Sequence, residues 1–200
     1  MSQPSSGVAN AEIEFVKADA THAPFFPACH ALIDRTQGKN LLAPNYFEQA
    51  ISNPDQLLLL ALLKNQLIGV ASARRLTSDD FAFYAPFGKK ADEFFQRHRA
   101  GSLQFASVRE DWQGRGVGRE LGERRVTWLE SMGCDAIVGV SWESGLPHTS
   151  EGVFRRLGFE RLARVPDFYV GMSVQRGLIC PVCGPPPCKC AASLFVKRLK

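Results

Sequence analysis

Two stretches of the sequence hold residue types whose spacing could do chemistry. The first, Gln113-Gly114-Arg115-Gly116-Val117-Gly118, lies between a strand-like segment and a helix-like one. Its three glycines remove the side chains that would hold a ligand's phosphates away from backbone N–H groups. The free amides of the following helix's first turn add positive potential toward the same spot. Arg109, Arg115 and Arg119 could add charge-assisted contacts to phosphate oxygens. The loop therefore suits a diphosphate. It departs from a dinucleotide fingerprint, because it lies past the middle of the chain and its G-x-G-x-G lacks the usual two-residue gap. The lysine and Ser/Thr of an ATP-type phosphate loop are also missing.

The second stretch is Cys180-Pro-Val-Cys183-Gly-Pro-Pro-Pro-Cys188-Lys-Cys190, four thiols spaced C-x2-C-x4-C-x-C. Cys-Pro-x-Cys-Gly resembles one half of a zinc-ribbon knuckle, in which a tight turn points two thiolates at one ion. Four thiolates around Zn²⁺ would close a tetrahedral structural site with no open position for catalysis. The three prolines lower the entropy cost of folding the loop back on itself. A disulfide framework would be spread through the chain of a secreted protein, whereas Cys29 and Cys134 are the only other cysteines. Zinc is the expectation; a redox-active or disulfide-forming loop is its rival.

The elements that must position these groups follow from periodicity. Residues 1–11 are small and polar and read as a flexible tail. Apolar residues near helical spacing mark helices from Ala23 to Ile33 and from Tyr46 to Ile51. Leu57–Leu63 and Leu67–Ala73 read as a hairpin around Lys64-Asn65-Gln66. Within 76–101 only Asp92–Arg99 carries a helical pattern. Leu103–Val108 is a buried strand running into the glycine loop. The next helix carries Val117, Leu121, Trp128, Leu129 and Met132 on one face and ends at Gly133. Ala136–Trp142 is another strand, and Thr149 or Ser150 can cap a helix that stops at Gly158. Arg161–Val170, with Pro166 inside it, is expected as a kinked or bulged strand, and Ser193–Val196 as the last one. This order indicates an α/β or α+β fold, a mixed sheet flanked by helices.

Gln113–Gly118 matches the Q/R-x-x-G-x-G/A signature of the GNAT acyltransferase superfamily. The strand before it, the helix after it and Leu157-Gly158-Phe159 stand where that family places them, so residues 12–200 resemble a single N-acetyltransferase-like domain. The resemblance implies that acetyl-CoA or another acyl-CoA lies in a wedge between splayed parallel strands, Leu103–Val108 and Ala136–Trp142. Backbone amides of Ala106, Ser107 and Val108 would then bind the pantetheine arm. Those of Gln113, Gly114, Arg115, Gly116, Val117, Gly118 and Arg119 would bind the pyrophosphate. A backbone N–H near Val108 could polarise the acyl carbonyl, and positioning could supply much of the remaining acceleration. The cysteine-rich loop, 176–191, would cap the tip of the closing hairpin, beside the acceptor mouth.

The sequence also departs from the family. Where many members carry a general-acid tyrosine four residues before the Gly of Gly-Phe, this chain has Phe154, and where they often carry an asparagine seven residues earlier it has Pro147. A carboxylate that some members place at the end of the second splayed strand maps onto Trp142, with Glu143 adjacent. Substitutes for acid–base work are Glu143, His148 and Tyr169, the last on the later strand. As a general base, Glu143 would need burial to lift its pKa toward working pH.

Composition bounds the rest. Two hundred residues with 45% hydrophobic content suit one domain with a sizeable core. Lys plus Arg minus Asp plus Glu is 24 − 20 = +4, which permits an anionic ligand but falls short of a nucleic-acid coat. The longest apolar run, Leu57–Leu63, has seven residues, against about 20 for a membrane span. Met1–Gly7 lacks the features of a secretory signal, so a cytoplasmic location is expected. The leading function is an acyl-CoA-dependent N-acyltransferase acting on an unidentified amine. A non-catalytic acyl-CoA sensor and a zinc-knuckle interaction protein stay open beside it.

Overall fold

The structure is a computed structural model that describes residues 12–145 and 150–199. Its centre is a seven-stranded sheet in the order β1-β2-β3-β4-β5-β7-β6, with β1 spanning Glu14–Lys17. Strands β2 (Gln56–Leu63) and β3 (Gln66–Arg75) form the expected hairpin, turning on two residues rather than three. Lys64 and Asn65 both take positive φ, 47° and 58°, the requirement of the primed turns whose twist matches the flanking strands. Nearly all of β2 is buried, which explains its unbroken leucine run: a strand covered on both faces has no reason to alternate.

Helices cover both faces. On one side α1 (Phe26–Gln37) and α2 (Tyr46–Ser52) pack on β2, β3 and β4 (Ala100–Val108) through Phe47, Leu58, Leu60, Val70 and Phe105. Beside them, two short 3₁₀ helices, 78–83 and 85–87, lead into α3 (Lys89–Arg97) and cover β5 (Ala136–Glu143), β7 (Ala191–Arg198) and β6 (Glu160–Val165). That aromatic layer of Tyr84, Phe87, Phe94 and Phe95 is the role of the 76–101 stretch. On the opposite face α4 (Val117–Ser131) and α5 (Glu151–Arg156) close a third cluster that includes Leu121, Leu129, Phe154 and Phe195. Among the described residues no helix is long and apolar enough to cross a membrane.

Three expectations are corrected or bounded. The strand expected to run from Arg161 through Val170 stops at Val165. Pro166 cannot donate to the ladder and Asp167 takes φ +50°, so the chain turns into a helix absent from the sequence reading, α6 (Val170–Arg176). Tyr169 accordingly sits at the N-cap of α6 and not on a strand. The tail 1–11 and the residues Pro147, His148 and Thr149 lie outside the described residues. Ser150 stands at the N-cap of α5, but its hydroxyl donates to Ser141 Oγ and accepts no hydrogen bond from the helix amides.

The sheet is split at one point. β4 and β5 run parallel and pair from Ala100–Ala136 to Leu103–Gly139, and there the pairing ends. At the same level the β3–β4 register skips: Ser72 faces Phe105 and Ala73 faces Leu103, leaving Gln104 as an extra residue in β4. Such a bulge bends its strand and increases its twist, turning the end of β4 away from β5. Arg125, buried on α4, reaches into the skip and donates through one nitrogen to Ser72 O (3.1 Å) and Phe105 O (3.0 Å), and through Nε to Leu121 O (3.0 Å). Burial pulls its pKa down to about 10, still charged at neutral pH.

Two stability predictions follow from this split. Arg125→Met strands two buried carbonyls, so it should lower unfolding stability by about 2–4 kcal/mol in urea titration. At the fork, a Cβ on Gly139 would stand 2.4 Å from the ring tip of Phe154. Gly139→Ala should therefore cost about 1–3 kcal/mol, and the double variant with Phe154→Leu should recover part of that loss.

Candidate functional site

Beyond the fork, β4 and β5 present two free strand edges to each other. Arg109 N–H donates to Ile68 O of β3 at 2.8 Å, so alternation turns Phe105 and Ser107 toward β3 and Ala106 and Val108 toward the gap. Two side chains already bind on that side: Gln37 Nε2 donates to Ala106 O (3.0 Å) and Gln113 Nε2 to Val108 O (3.0 Å). Ser107, expected among the pantetheine-binding amides, differs. Its backbone belongs to the β3 ladder, and its hydroxyl accepts from Thr36 Oγ1 (2.8 Å) and Gln37 Nε2 (2.7 Å).

The glycine loop closes the far end of this gap. Gly114 and Gly116 take φ +72° and +88°, conformations that cost other residues strain, and a Cβ on either would meet open space. Gly116 is the N-cap of the fifteen-residue α4, and no side chain caps it. The first-turn amides of Val117, Gly118 and Arg119 therefore point from the helix's positive end with no side-chain acceptor. The arginines suggested for phosphate are each engaged. Arg109 makes a bidentate pair with Asp111 (2.7 and 2.8 Å), which holds its pKa up. Arg115 stacks over Trp112 at 4.9 Å, and Arg119 stands 3.6 Å from Glu123. All of these are exposed contacts, weak enough to exchange for an anion.

A polar cluster escaped the sequence reading. Gln104, the bulge residue, accepts at Oε1 from Tyr46 OH (2.8 Å) and Ser72 Oγ (3.1 Å), while Gln56 Nε2 donates to Tyr46 OH (2.5 Å). These residues meet at the fork from α2, β2, β3 and β4. The one sequence signal was a lone glutamine interrupting an apolar strand. Thr36 and Gln37, at the end of α1, gave none.

The acid–base candidates stand at the end of β5. Glu143 accepts from Ser193 Oγ (2.5 Å) and pairs with Arg164 Nε (2.7 Å). Partial burial pushes its carboxyl up, but the Ser193 hydroxyl and the Arg164 guanidinium outweigh it, and the net shift is below the ordinary 4.5. The expected upward shift toward neutral pH is therefore reversed, because the carboxylate gains partners as it loses water. Tyr169 packs among Trp142 and the cysteines; burial, then the neighbouring thiols and Glu143, raise its phenol well above 10. Phe154 is core, stacked on Phe195 and lying against Phe159. His148 lies outside the described residues.

The four C-terminal cysteines come together, with every Sγ within 4.8 Å of the others. Cys183 and Cys190 stand 3.5 Å apart, and all four are free thiols. Between this cluster and the end of β5 opens a cleft of about 370 Å³, bordered by Glu143, Arg164, Asp167, Cys183 and Lys189.

Comparison with solved structures agrees with this architecture. The fold is similar to Arabidopsis thaliana NAA60 in complex with acetyl-CoA (TM-score 0.66, 14% identity, 94% of this chain and 98% of that one). It is equally similar to a Drosophila melanogaster polyamine N-acetyltransferase (TM-score 0.66, 14% identity, 94% and 100%). A Brucella melitensis ribosomal-protein-alanine N-acetyltransferase is close behind (TM-score 0.63, 16% identity, 93% and 99%). Such identities speak for the fold alone, and no curated protein matches the sequence. The sequence does match the family model for the acetyltransferase (GNAT) family over residues 24–159. That span holds the fork, the bulge and the glycine loop together, and by it the chain belongs to the GNAT acetyltransferase family.

Proposed function

We propose that the protein is an acyl-CoA-dependent N-acyltransferase that passes an acetyl group from acetyl-CoA to a primary amine by direct attack in a ternary complex. The observation that carries the reading is the parting of β4 and β5 after Leu103 and Gly139, with an uncapped glycine-rich helix start at the end of the gap. In this reading Gly114–Arg119 hold the pyrophosphate through backbone amides, with Gln113 bracing the loop. The pantetheine arm lies along the gap-facing groups of Ala106 and Val108, displacing the Gln37 amide from Ala106 O. Val108 N–H polarises the thioester carbonyl.

For proton traffic, Tyr169 is the proposed donor to the departing thiolate, since its phenol carries its proton at neutral pH. Glu143, ionised at neutral pH, is the proposed proton acceptor for the amine although Ser193 and Arg164 weaken it as a base, with His148 five residues on in sequence. The cysteine cluster enters as a structural zinc site, since four thiolates leave no open coordination position. Free thiols suit a reducing, cytoplasmic setting. The second reading, an acyl-CoA sensor without turnover, rests on the buried Phe154 where the family's acid would stand.

Calorimetric titration separates these. Acetyl-CoA should bind the intact protein in the micromolar range. Gly116→Asp should weaken it by at least about a hundredfold, because a carboxylate at the helix start repels the pyrophosphate and a side chain at φ +88° is strained. Binding without turnover over a broad amine panel would leave the sensor. The pH profile tests Glu143. Its partners depress its pKa, so the carboxylate is present above 4.5 and is lost only as pH falls through the lower folded value. Removing the guanidinium in Arg164→Gln should move the acid limb of kcat/KM to higher pH, and Glu143→Gln should abolish that limb.

A further inference from the structure

The cysteine cluster lies in a chain of contacts that spans the gap on the face opposite α4. At the end of α1, Thr36 and Gln37 bind the β4 edge at Ser107 and Ala106. The next residues are stitched to the segment that enters the cysteine loop. Lys39 and Ile179 exchange both backbone hydrogen bonds, each 3.1 Å, and Asn40 Nδ2 donates to Gly177 O at 2.9 Å. The approach is so close that a Cβ on Gly38 would stand 2.6 Å from Ile179 O. Cys180 follows Ile179 directly. At the other end of the loop Cys190 precedes β7, whose Ala191 pairs with Glu143 at the end of β5. Trp142 of β5 packs against the cysteines, and Cys188 N–H donates to Ser173 Oγ of α6 at 2.8 Å. The cluster is thus where an arch from the β4 edge comes down at the end of β5, on its β7 side.

The cluster itself is built for a cation. A tetrahedral ion with about 2.3 Å bonds to sulfur sets sulfurs about 3.8 Å apart; three of the six pairs here stand at 3.5, 3.9 and 3.9 Å, and all lie within 4.8 Å. Cys180 Sγ also accepts two N–H groups, from Val182 (3.4 Å) and Cys183 (3.3 Å). Four sulfurs held this close, three of them buried, form a ready-made tetrahedral ligand set for one soft divalent cation.

We propose that one Zn²⁺ ion bound by Cys180, Cys183, Cys188 and Cys190 locks the loop after α1 across the acceptor side of the cleft, so that metal controls access for the amine and not the binding of acyl-CoA. The metal and the lock stand on their own geometry; the word acceptor rests on the acyltransferase reading.

Protein stripped with a chelator under reductant and titrated with zinc should take up one ion per chain. Co²⁺ in its place should show thiolate-to-metal charge-transfer absorption. Cys183→Ser, at the exposed ligand, should weaken the ion by more than the about 10–100-fold typical of an outer-shell change. Hydrogen exchange at the Lys39 and Ile179 amides should quicken at least about tenfold in stripped wild-type protein, with Leu60 and Val70 unchanged. No stoichiometric ion, or a bound ion with no change at those two amides, would overturn the proposal. Stripped wild-type protein keeps the test decisive if the variant fails to fold. Acetyl-CoA affinity should stay within about twofold between the loaded and stripped forms, and a metal-dependent loss of it would overturn the division of roles. Absence of acetyl-CoA binding in both forms would remove the acyltransferase reading while the ion and the exchange data still support the lock.

Discussion

The buried guanidinium of Arg125 holds together the one irregularity on which the rest depends. A continuous sheet would pair β4 with β5 along their full length and leave no place for a ligand between them. The extra residue at Gln104 bends β4 out of that arrangement, but it also misaligns the ladder with β3, and carbonyls left unpaired inside a protein are costly. Arg125 meets that cost with donors fixed in a planar fork, reaching Ser72 O and Phe105 O from a single nitrogen. Among the described residues its hydrogen bonds go only to backbone carbonyls. A buried cation satisfied only by carbonyl dipoles is tolerable because α4 brings its own Leu121 carbonyl and the rest of the stem packs as core.

From the bulge outward, each functional feature has a structural cause. The bent end of β4 frees the gap-facing groups of Ala106 and Val108. The chain then turns through Gly114 and Gly116, where positive φ lets α4 start with its amides aimed at the mouth of the gap. Gly139 lacks a side chain, so the Phe154 ring can fill the space under the fork. The same packing that seals the fork fills it with an apolar ring. The polar side chains gather instead at the far end of β5, where Glu143, Tyr169 and the thiols meet.

Local rules read much of this molecule correctly. The β2–β3 hairpin, α4 with its apolar face, the glycine loop and the strand before it all announce themselves by period and composition, because each is stabilised mainly by neighbours near in sequence. Errors gather where the chain's path is set by one residue's backbone. Pro166 and Asp167 end β6 early and send Tyr169 to a helix start. The aromatic stretch 81–95 shows no clean period because it is built from two 3₁₀ turns and one short helix that share a core.

The sequence by itself determined that a glycine-rich turn starts α4 and that four thiols gather in one loop. Three glycines at a strand-to-helix turn expose backbone amides whatever the surroundings, and four cysteines within eleven residues of a loop lie close in any fold. Tertiary structure decided what those groups can do. Register alone made Gln104 a bulge, turned Ser107 to the ladder and Ala106 to the gap, and paired Glu143 with Arg164 so that its basicity fell. The bond between Lys39 and Ile179 joins residues 140 positions apart. Such contacts leave no periodic trace, because hydrogen bonds between distant backbones depend on where two elements meet and not on which side chains they carry.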